Sequence, residues 1–435
     1  MQHNATFTRL MTGNAQENSR EFDIIVWGAT GFTGQLVAEH LADTYGIAGE
    51  LRWAIAGRDP DKLETLRDQL ARGRRKPPIV LADSQDAESL KTLTPRTRVV
   101  ATTVGPYSRL GSELVAECAR NGTHYCDLAG ELPWIRRMMD AHGGTAKRSG
   151  AVIVHCCGFD SIPSDIGVWF LQREAQARFE QPLQRVHGYV ERMSGGFSGG
   201  TAASMLEVAK EARSDRRTAR LLTDPYALNP RNASQGADEN EGLGFHRDQF
   251  IDGWVAPFLM ASINTRIVRR TNALMGDAYG RDFRYAEYMA TGGGALGLAK
   301  AAAISGALAS LLAGAVTAPG RAFLSRFVFP DQGDGPNAEA RENGHYRIRF
   351  AGVAEDGRTL QATVTGDRDP GYGSTSRMLG EAAVCLARSA PRGPGERGGF
   401  STPAAAMGDA LIERLQRNAG VTFEVDEAAS SAAEA

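Results

Sequence analysis

The residues best suited to chemistry in this chain stand at the ends of short apolar runs. Gly28, Ala29, Thr30, Gly31, Phe32, Thr33 and Gly34 directly follow one such run and open a helical stretch, a G-x-x-G-x-x-G spacing. The first glycine permits a sharp turn. The second lets backbone N–H groups approach a pyrophosphate, and the third lets the helix pack on the strand. A second run ends in Gly57-Arg58-Asp59-Pro60. An NAD site would place an acid at that strand end. Here Asp59-Pro60 reads as an N-cap and first helical residue, which leaves the Arg58 guanidinium for a 2′-phosphate. NADP is therefore expected in preference to NAD, with a solvated surface arginine as the alternative. Asp83, at the end of the third run, is expected near the adenine edge or as a loop cap. Thr103, Gly105 and Tyr107, at the fourth, are expected near the nicotinamide half or in a plain strand-to-helix turn.

Two further strand ends carry acids. Asp127 and Glu131 follow the fifth run, and Asp160 and Ser161 follow the sixth. Ligands in an open parallel sheet bind beyond the carboxyl ends of the strands, so these carboxyls are candidates to orient a substrate or relay a proton. Capping the next helix is the alternative for each. Cys156 and Cys157 read as buried strand-end cysteines rather than nucleophiles. The glycine-rich loop 194–201 reads as a substrate-approaching loop or lid. It lacks the Gly-Lys-Ser/Thr of a phosphate-binding Walker loop.

Such groups need a scaffold. Six apolar runs, 23–28, 52–57, 78–83, 98–104, 124–128 and 151–155, alternate with helical patterns at 33–45, 59–71 and 110–121. The alternation predicts an α/β fold: an N-terminal Rossmann-type, doubly wound parallel sheet over 22–160, then a mixed α+β domain over 161–425. Residues 1–21 are expected to form a flexible leader and 426–435 a disordered acidic tail. In the second domain, strands are expected at 186–193, 264–271 and 283–289. A hairpin is expected at 346–353 and 359–365, helices at 204–213 and 376–387, and a long loop at 224–249. A C-terminal helix is free to pack back on the first domain.

Length and composition exclude several classes. At 435 residues the chain suits two or three domains. Lys+Arg 49 against Asp+Glu 51 leaves no basic excess to displace counterions from a nucleic acid. Five cysteines without a Cys-x-x-Cys pair, and only 8 histidines, argue against a metal site or disulfide framework and for a reduced, cytoplasmic protein. The polar start has no signal-peptide character. Residues 301–318 carry no charge and are rich in Ala and Gly. Ile304, Leu308, Leu311, Leu312 and Val316 share one helical face. A packed helix is expected there, with weak peripheral contact with a membrane as the alternative and a true span less favoured.

Gly28–Gly34, Ala56-Gly-Arg58, Thr103–Tyr107, Asp127–Glu131 and Gly158–Asp165 together resemble the saccharopine dehydrogenase-like oxidoreductases. Gly195–Thr201, Thr265–Arg270, Ala278–Arg281, Asp369–Tyr372 and Thr402–Ala410 resemble their mycobacterial trans-acting enoyl reductase branch, and the similarity spans 21–424. It implies an NAD(P)-dependent reductase of an enoyl group on a lipid or polyketide acyl chain, small or carrier-bound, with a polyketide synthase as partner. In that reaction a hydroxyl such as Tyr107 or Ser161 would polarise the thioester carbonyl, and Asp160 completes the expected catalytic set. An amino-acid-type substrate, as in the saccharopine dehydrogenases, is one alternative. A catalytically silent cofactor-binding protein at membranes or lipid droplets is another.

Overall fold

The computed structural model describes residues 20–427 except 48, 72–74, 196–198, 234–235, 239–241, 330–334 and 390–397. Most of the expected leader and tail, and the centre of the 194–201 loop, lie outside the described residues. In chain order the elements are β1 (Phe22–Trp27), α1 (Phe32–Tyr45), β2 (Trp53–Gly57), α2 (Pro60–Ala71), β3 (Ile79–Leu81), α3 (Ala87–Leu93), β4 (Thr97–Thr102), α4 (Tyr107–Leu110), α5 (Ser112–Asn121), β5 (His124–Asp127), α6 (Leu132–Ser149) and β6 (Val152–Val154). There follow α7 (Ile162–Phe179), β7 (Leu183–Met193), α8 (Gly199–Ser214), α9 (Arg216–Thr223), β8 (His246–Arg247), β9 (Trp254–Pro257), α10 (Ala261–Leu274), β10 (Arg284–Gly292), α11 (Gly294–Val316), α12 (Ala318–Phe327) and α13 (Ala338–Glu342). The chain closes with β11 (Tyr346–Ala354), β12 (Thr359–Gly366), α14 (Thr375–Ser389), β13 (Gly399–Ser401), α15 (Pro403–Arg414) and β14 (Val421–Val425).

Unit 1 combines Met1–Gly158 with Thr375–Arg414. Its seven-stranded sheet runs β13-β6-β5-β4-β1-β2-β3, parallel throughout. Every residue of β1 and β2 is buried, as expected of strands covered on both faces. The seventh strand, β13, pairs Phe400 with Ile153 at the edge. Three residues are too few to show a period, so sequence patterning passes over it.

The returning helix α14 is fastened to α1 by a buried carboxylate. Glu381 lies 2.8 Å from His40 Nε2 and accepts from the Tyr45 hydroxyl at 2.6 and 2.8 Å, with Arg414 of α15 3.6 Å away. Removing one member of such a cluster strands the rest without a partner. Glu381→Ala is expected to cost about 3 kcal/mol in urea unfolding. Glu381→Gln still accepts from Tyr45 and His40, so it is expected to lose clearly less. Equal losses would show that charge, rather than hydrogen bonding, is what matters there.

Unit 2 combines Phe159–Ser374 with Leu415–Ala435. Its sheet runs β14-β12-β11-β7-β10-β9-β8, with β7 and β10 parallel and the other pairs antiparallel. Helices α7 and α10 pack on each other; α7 also packs on β12, and α10 on β10. The strand expected at 264–271 is instead the middle of α10. The β-branched Thr265, Ile267, Val268 and Thr271 favour extended structure locally. The helix is buried on all sides, so no amphipathic period marks it.

Helix α11 contains most of the uncharged 301–318 segment. Leu308 is buried, Ile304, Leu311 and Leu312 are half-buried, and Val316 is exposed. Four of the five residues of that face therefore lie against the protein wholly or in part, while Val316 faces water. Neighbours of α11 include α8, β9, β10 and α12.

Candidate active site

Strand order reverses between β1 and β4, and the glycine turn sits at the carboxyl end of β1, where an open sheet receives ligands. Two of its glycines are required by packing alone. Gly28 has φ +81°, and a Cβ there would lie 2.5 Å from Val104 Cγ2. A Cβ on Gly34 would lie 2.2 Å from the Gly28 carbonyl oxygen. Gly31 differs: it is exposed, and a Cβ on it would meet only the Gly28 carbonyl, at 3.3 Å. As N-cap of α1, Gly31 provides no side-chain cap for the first turn. Space at Gly31 that the fold itself does not need, beside a helix N-terminus, fits a pyrophosphate.

The turn is anchored by Gly28 and Ala29, whose N–H groups donate to the Ala56 carbonyl at 3.0 and 3.1 Å. The Thr30 carbonyl accepts from Gln35 Nε2 at 3.1 Å, and Phe32 and Thr33 are half-buried in the first helical turn. Thr103 closes the crevice from β4, its hydroxyl 3.3 Å from the Gly28 carbonyl. Gly105 is exposed just beyond, before a cis bond to Pro106. At the end of β2, Asp59 Oδ1 accepts from the Lys62 N–H at 3.1 Å, as an N-cap does. Arg58 is exposed and makes no ion pair among the described residues. Asp83 Oδ1 accepts from the Gln85 N–H at 3.0 Å, so this carboxylate shapes its own turn.

Three of the chemically eligible groups brace the sheet instead. Glu131 accepts from the Tyr107 and Ser108 N–H groups at 2.7 and 2.9 Å and holds the start of α4. Asp127 takes Tyr125 Oη and His155 Nδ1 on one oxygen, at 2.8 and 2.7 Å, and the Ala129 and Cys156 N–H groups on the other. The Tyr107 hydroxyl donates to the Thr102 carbonyl at 3.2 Å and accepts from the Leu128 N–H at 3.1 Å. Burial, and then the Asp127 charge, push this phenol well above its ordinary pKa. With its hydroxyl so engaged, Tyr107 joins the ends of β4 and β5. Cys156 and Cys157 are buried, and burial raises the Cys157 thiol well above its usual range.

In unit 2 the turn before α7 is strained. Ser161 has φ +134°, a region that non-glycine residues rarely enter. Its buried hydroxyl donates to Asn264 Oδ1 at 2.9 Å. Asn264 Nδ2 donates to Glu287 at 2.9 Å, and Glu287 also accepts from the Tyr285 hydroxyl at 2.6 Å. Asp160, next to Ser161, is half-buried. Asn264 and Glu287 are not evident from the sequence as site residues. Their one visible signal is an acid, Glu287, set between Tyr285 and Tyr288 in an apolar strand. A cavity of about 490 Å³ also lies in unit 2, walled partly by Arg185, His187, Asp248 and Arg284. Of the motifs singled out in the sequence, Thr265–Arg270 reaches its wall through Arg269, and none of the candidate catalytic or cofactor residues lines it.

Residues 24–154 match the family described as the saccharopine dehydrogenase NADP binding domain. A Mycobacterium tuberculosis protein, provisionally named a trans-acting enoyl reductase, is 42% identical over 420 residues, covering 94% of this chain and 99% of its own length. The trans-acting enoyl reductase of Mycobacterium ulcerans is 39% identical over 410 residues, covering 91% of this chain and 96% of its own. Among solved structures, apo saccharopine dehydrogenase (L-Glu forming) from Saccharomyces cerevisiae aligns with a TM-score of 0.51 at 12% identity, over 93% of this chain and 100% of that one. That last likeness concerns the fold alone.

Proposed function

From a chain that belongs to the saccharopine dehydrogenase-like trans-acting enoyl reductases, and that is an NADP-dependent oxidoreductase, we propose an enzyme that saturates the C=C bond of an enoyl thioester on a lipid or polyketide acyl chain. The observation that carries this reading is the similarity to such relatives over more than nine-tenths of the chain, unit 2 included. An amino-acid substrate would need cationic groups free to hold carboxylates, and Arg185 and Arg284 on the unit 2 cavity are the ones that would serve that second reading. The arginines of α10 are engaged by the protein: Arg269 pairs with Asp238 at 2.6 Å and donates to the Tyr285 carbonyl, and Arg270 donates to the Leu228 carbonyl. The partner is a separate polyketide synthase presenting the acyl chain. The enzyme acts in the cytoplasm, with peripheral contact at a membrane.

NADPH, when bound, supplies the hydride that adds to the β-carbon. The turn Gly28–Gly34 would hold the pyrophosphate and Arg58 the 2′-phosphate. Asp83 would border the adenine, and Thr103 and Gly105 the nicotinamide half, with Tyr107 bracing that edge. Ser161 would polarise the thioester carbonyl only by exchanging its hydrogen bond to Asn264 for one to the substrate, and Asp160 would relay the proton to the α-carbon.

Purified protein with NADPH and a series of trans-2-enoyl thioesters is expected to oxidise one NADPH per saturated product. Oxidation only with keto acids and an amine donor would overturn the reading. Ser161→Gly separates chemistry from structure. It relieves the positive φ but strands the buried Asn264 Oδ1, so stability is expected to change by no more than about 1–2 kcal/mol, while kcat falls about 100-fold. A folded variant with full kcat would remove Ser161 from the reaction.

A further inference from the structure

We infer that α11 and α12 form a docking surface for an anionic lipid bilayer, lying on it rather than crossing it. The inference rests on the peripheral placement proposed above and identifies its surface and lipid. Six of the eleven large apolar side chains exposed among the described residues fall here: Leu296, Leu298, Val316, Phe323, Phe327 and Val328. Phe323 and Phe327 are 56% and 69% exposed, one turn apart on α12, with ring centroids 5.2 Å apart. Soluble proteins seldom leave such a cluster in water unless something covers it.

Charge identifies the occupant. Residues 288–330 contain no Asp or Glu, where the chain's 51 acids in 435 residues would put about five. The only charges are Lys300, Arg321 and Arg326. Lys300 and Arg326 are exposed, and the Arg326 guanidinium lies 5.7 Å from the Phe327 ring centre. Aromatic side chains flanked by cations and free of acids suit the headgroup boundary of an anionic membrane. A second copy of the same surface would bring like charges together.

Burial identifies the mode. Only 22% of the most apolar 18-residue window of α11 is buried, so the helix is not a core helix. Yet Gly297, Ala301, Ser305, Leu308 and Ala315 are buried, and a Cβ on Gly297 would meet the Gly292 carbonyl at 2.0 Å. A helix seated in this way along one side on its own unit has only its other side for lipid, which fits a helix resting in the interface.

Full-length protein purified without detergent is expected to sediment with phosphatidylglycerol vesicles at low salt, far less with phosphatidylcholine, and to be released by raised ionic strength. Phe323→Glu with Phe327→Glu is expected to weaken that binding at least about tenfold. NADPH affinity should stay unchanged, as should turnover of a water-soluble short-chain enoyl thioester if the proposed activity holds. Lys300→Glu with Arg326→Glu, which leaves the apolar cluster intact, is expected to abolish the preference for anionic vesicles. Parent protein that ignores phosphatidylglycerol, or phenylalanine variants that bind as the parent does, would overturn the inference. A detergent requirement would show a span instead. Conversion of a dimer to a monomer by the phenylalanine changes, without any vesicle effect, would show a second copy as the occupant. Absent turnover alongside intact vesicle binding would count against the proposed reaction and leave the docking surface standing.

Discussion

Gly31→Val is expected to weaken NADPH binding at least about 100-fold, some 2.7 kcal/mol, while the protein still folds. The two halves of this expectation come from different atoms. Within the protein, a Cβ at position 31 meets one carbonyl oxygen at 3.3 Å, a contact that a small shift relieves. On its open side, the added side chain would occupy the space in which a pyrophosphate reaches the first turn of α1. Gly34→Val supplies the contrast. Its Cβ would lie within 3 Å of the backbone at Gly28 and Ala29, which cannot rotate away, so unit 1 is expected to lose stability before cofactor binding is measurable. Fluorescence titration with NADPH and a thermal unfolding scan on both variants decide the matter. If Gly31→Val binds like the parent, the cofactor lies elsewhere. If Gly31→Val unfolds and Gly34→Val does not, the assignment of the two glycines is reversed.

Arg58→Ala is expected to lower NADPH affinity by about 1.5–3 kcal/mol, the range for a hydrogen bond to a charged group, and to leave NADH affinity unchanged. The selectivity follows from position. Arg58 directly follows β2, is exposed, and has no ion pair among the described residues to lose. Asp59 beside it is engaged with the start of α2, so no acid competes for the guanidinium at that strand end. Arg58→Lys is expected to recover only part of the affinity, because an ammonium lacks the planar fork that matches a phosphate. Exposure also makes the contribution salt-dependent, so the NADPH advantage should shrink as ionic strength rises. Equal losses for both cofactors would make Arg58 a structural residue.

Legibility in the sequence tracks the range of the interactions involved. The six apolar runs became β1 to β6, and for all but the edge strand β3 the reason is that strands buried on both faces need little more than continuous apolar character and a turn at each end. The glycine turn was equally legible, since its demands on φ and on close approach are met by neighbours within a few residues and by the adjoining strand. The strand ends were less so. Asp127, Glu131 and Tyr107 look alike as candidate reactive groups until their partners are known, and several of those partners lie 20 or more residues away: Tyr107 for Glu131, Leu128 for Tyr107 and His155 for Asp127. Asp127 becomes a brace because Tyr125, His155 and two backbone N–H groups converge on it.

Local pattern by itself determined the parallel α/β sheet and the place of the glycine turn within it, and it led to the expectation of NADP, because periodicity, turn chemistry and the charge at a strand end are written in consecutive residues. Only the tertiary structure decided that α14 and β13 belong to unit 1, that 264–271 is helical, that Ser161 is linked to Asn264 and Glu287, and which face of α11 meets water. Ser161 and Asn264 are 103 residues apart, and His40 and Glu381 are 341 apart. What joins them is the burial of polar groups that must find partners wherever the folded chain supplies them, a requirement that no window of neighbouring residues records.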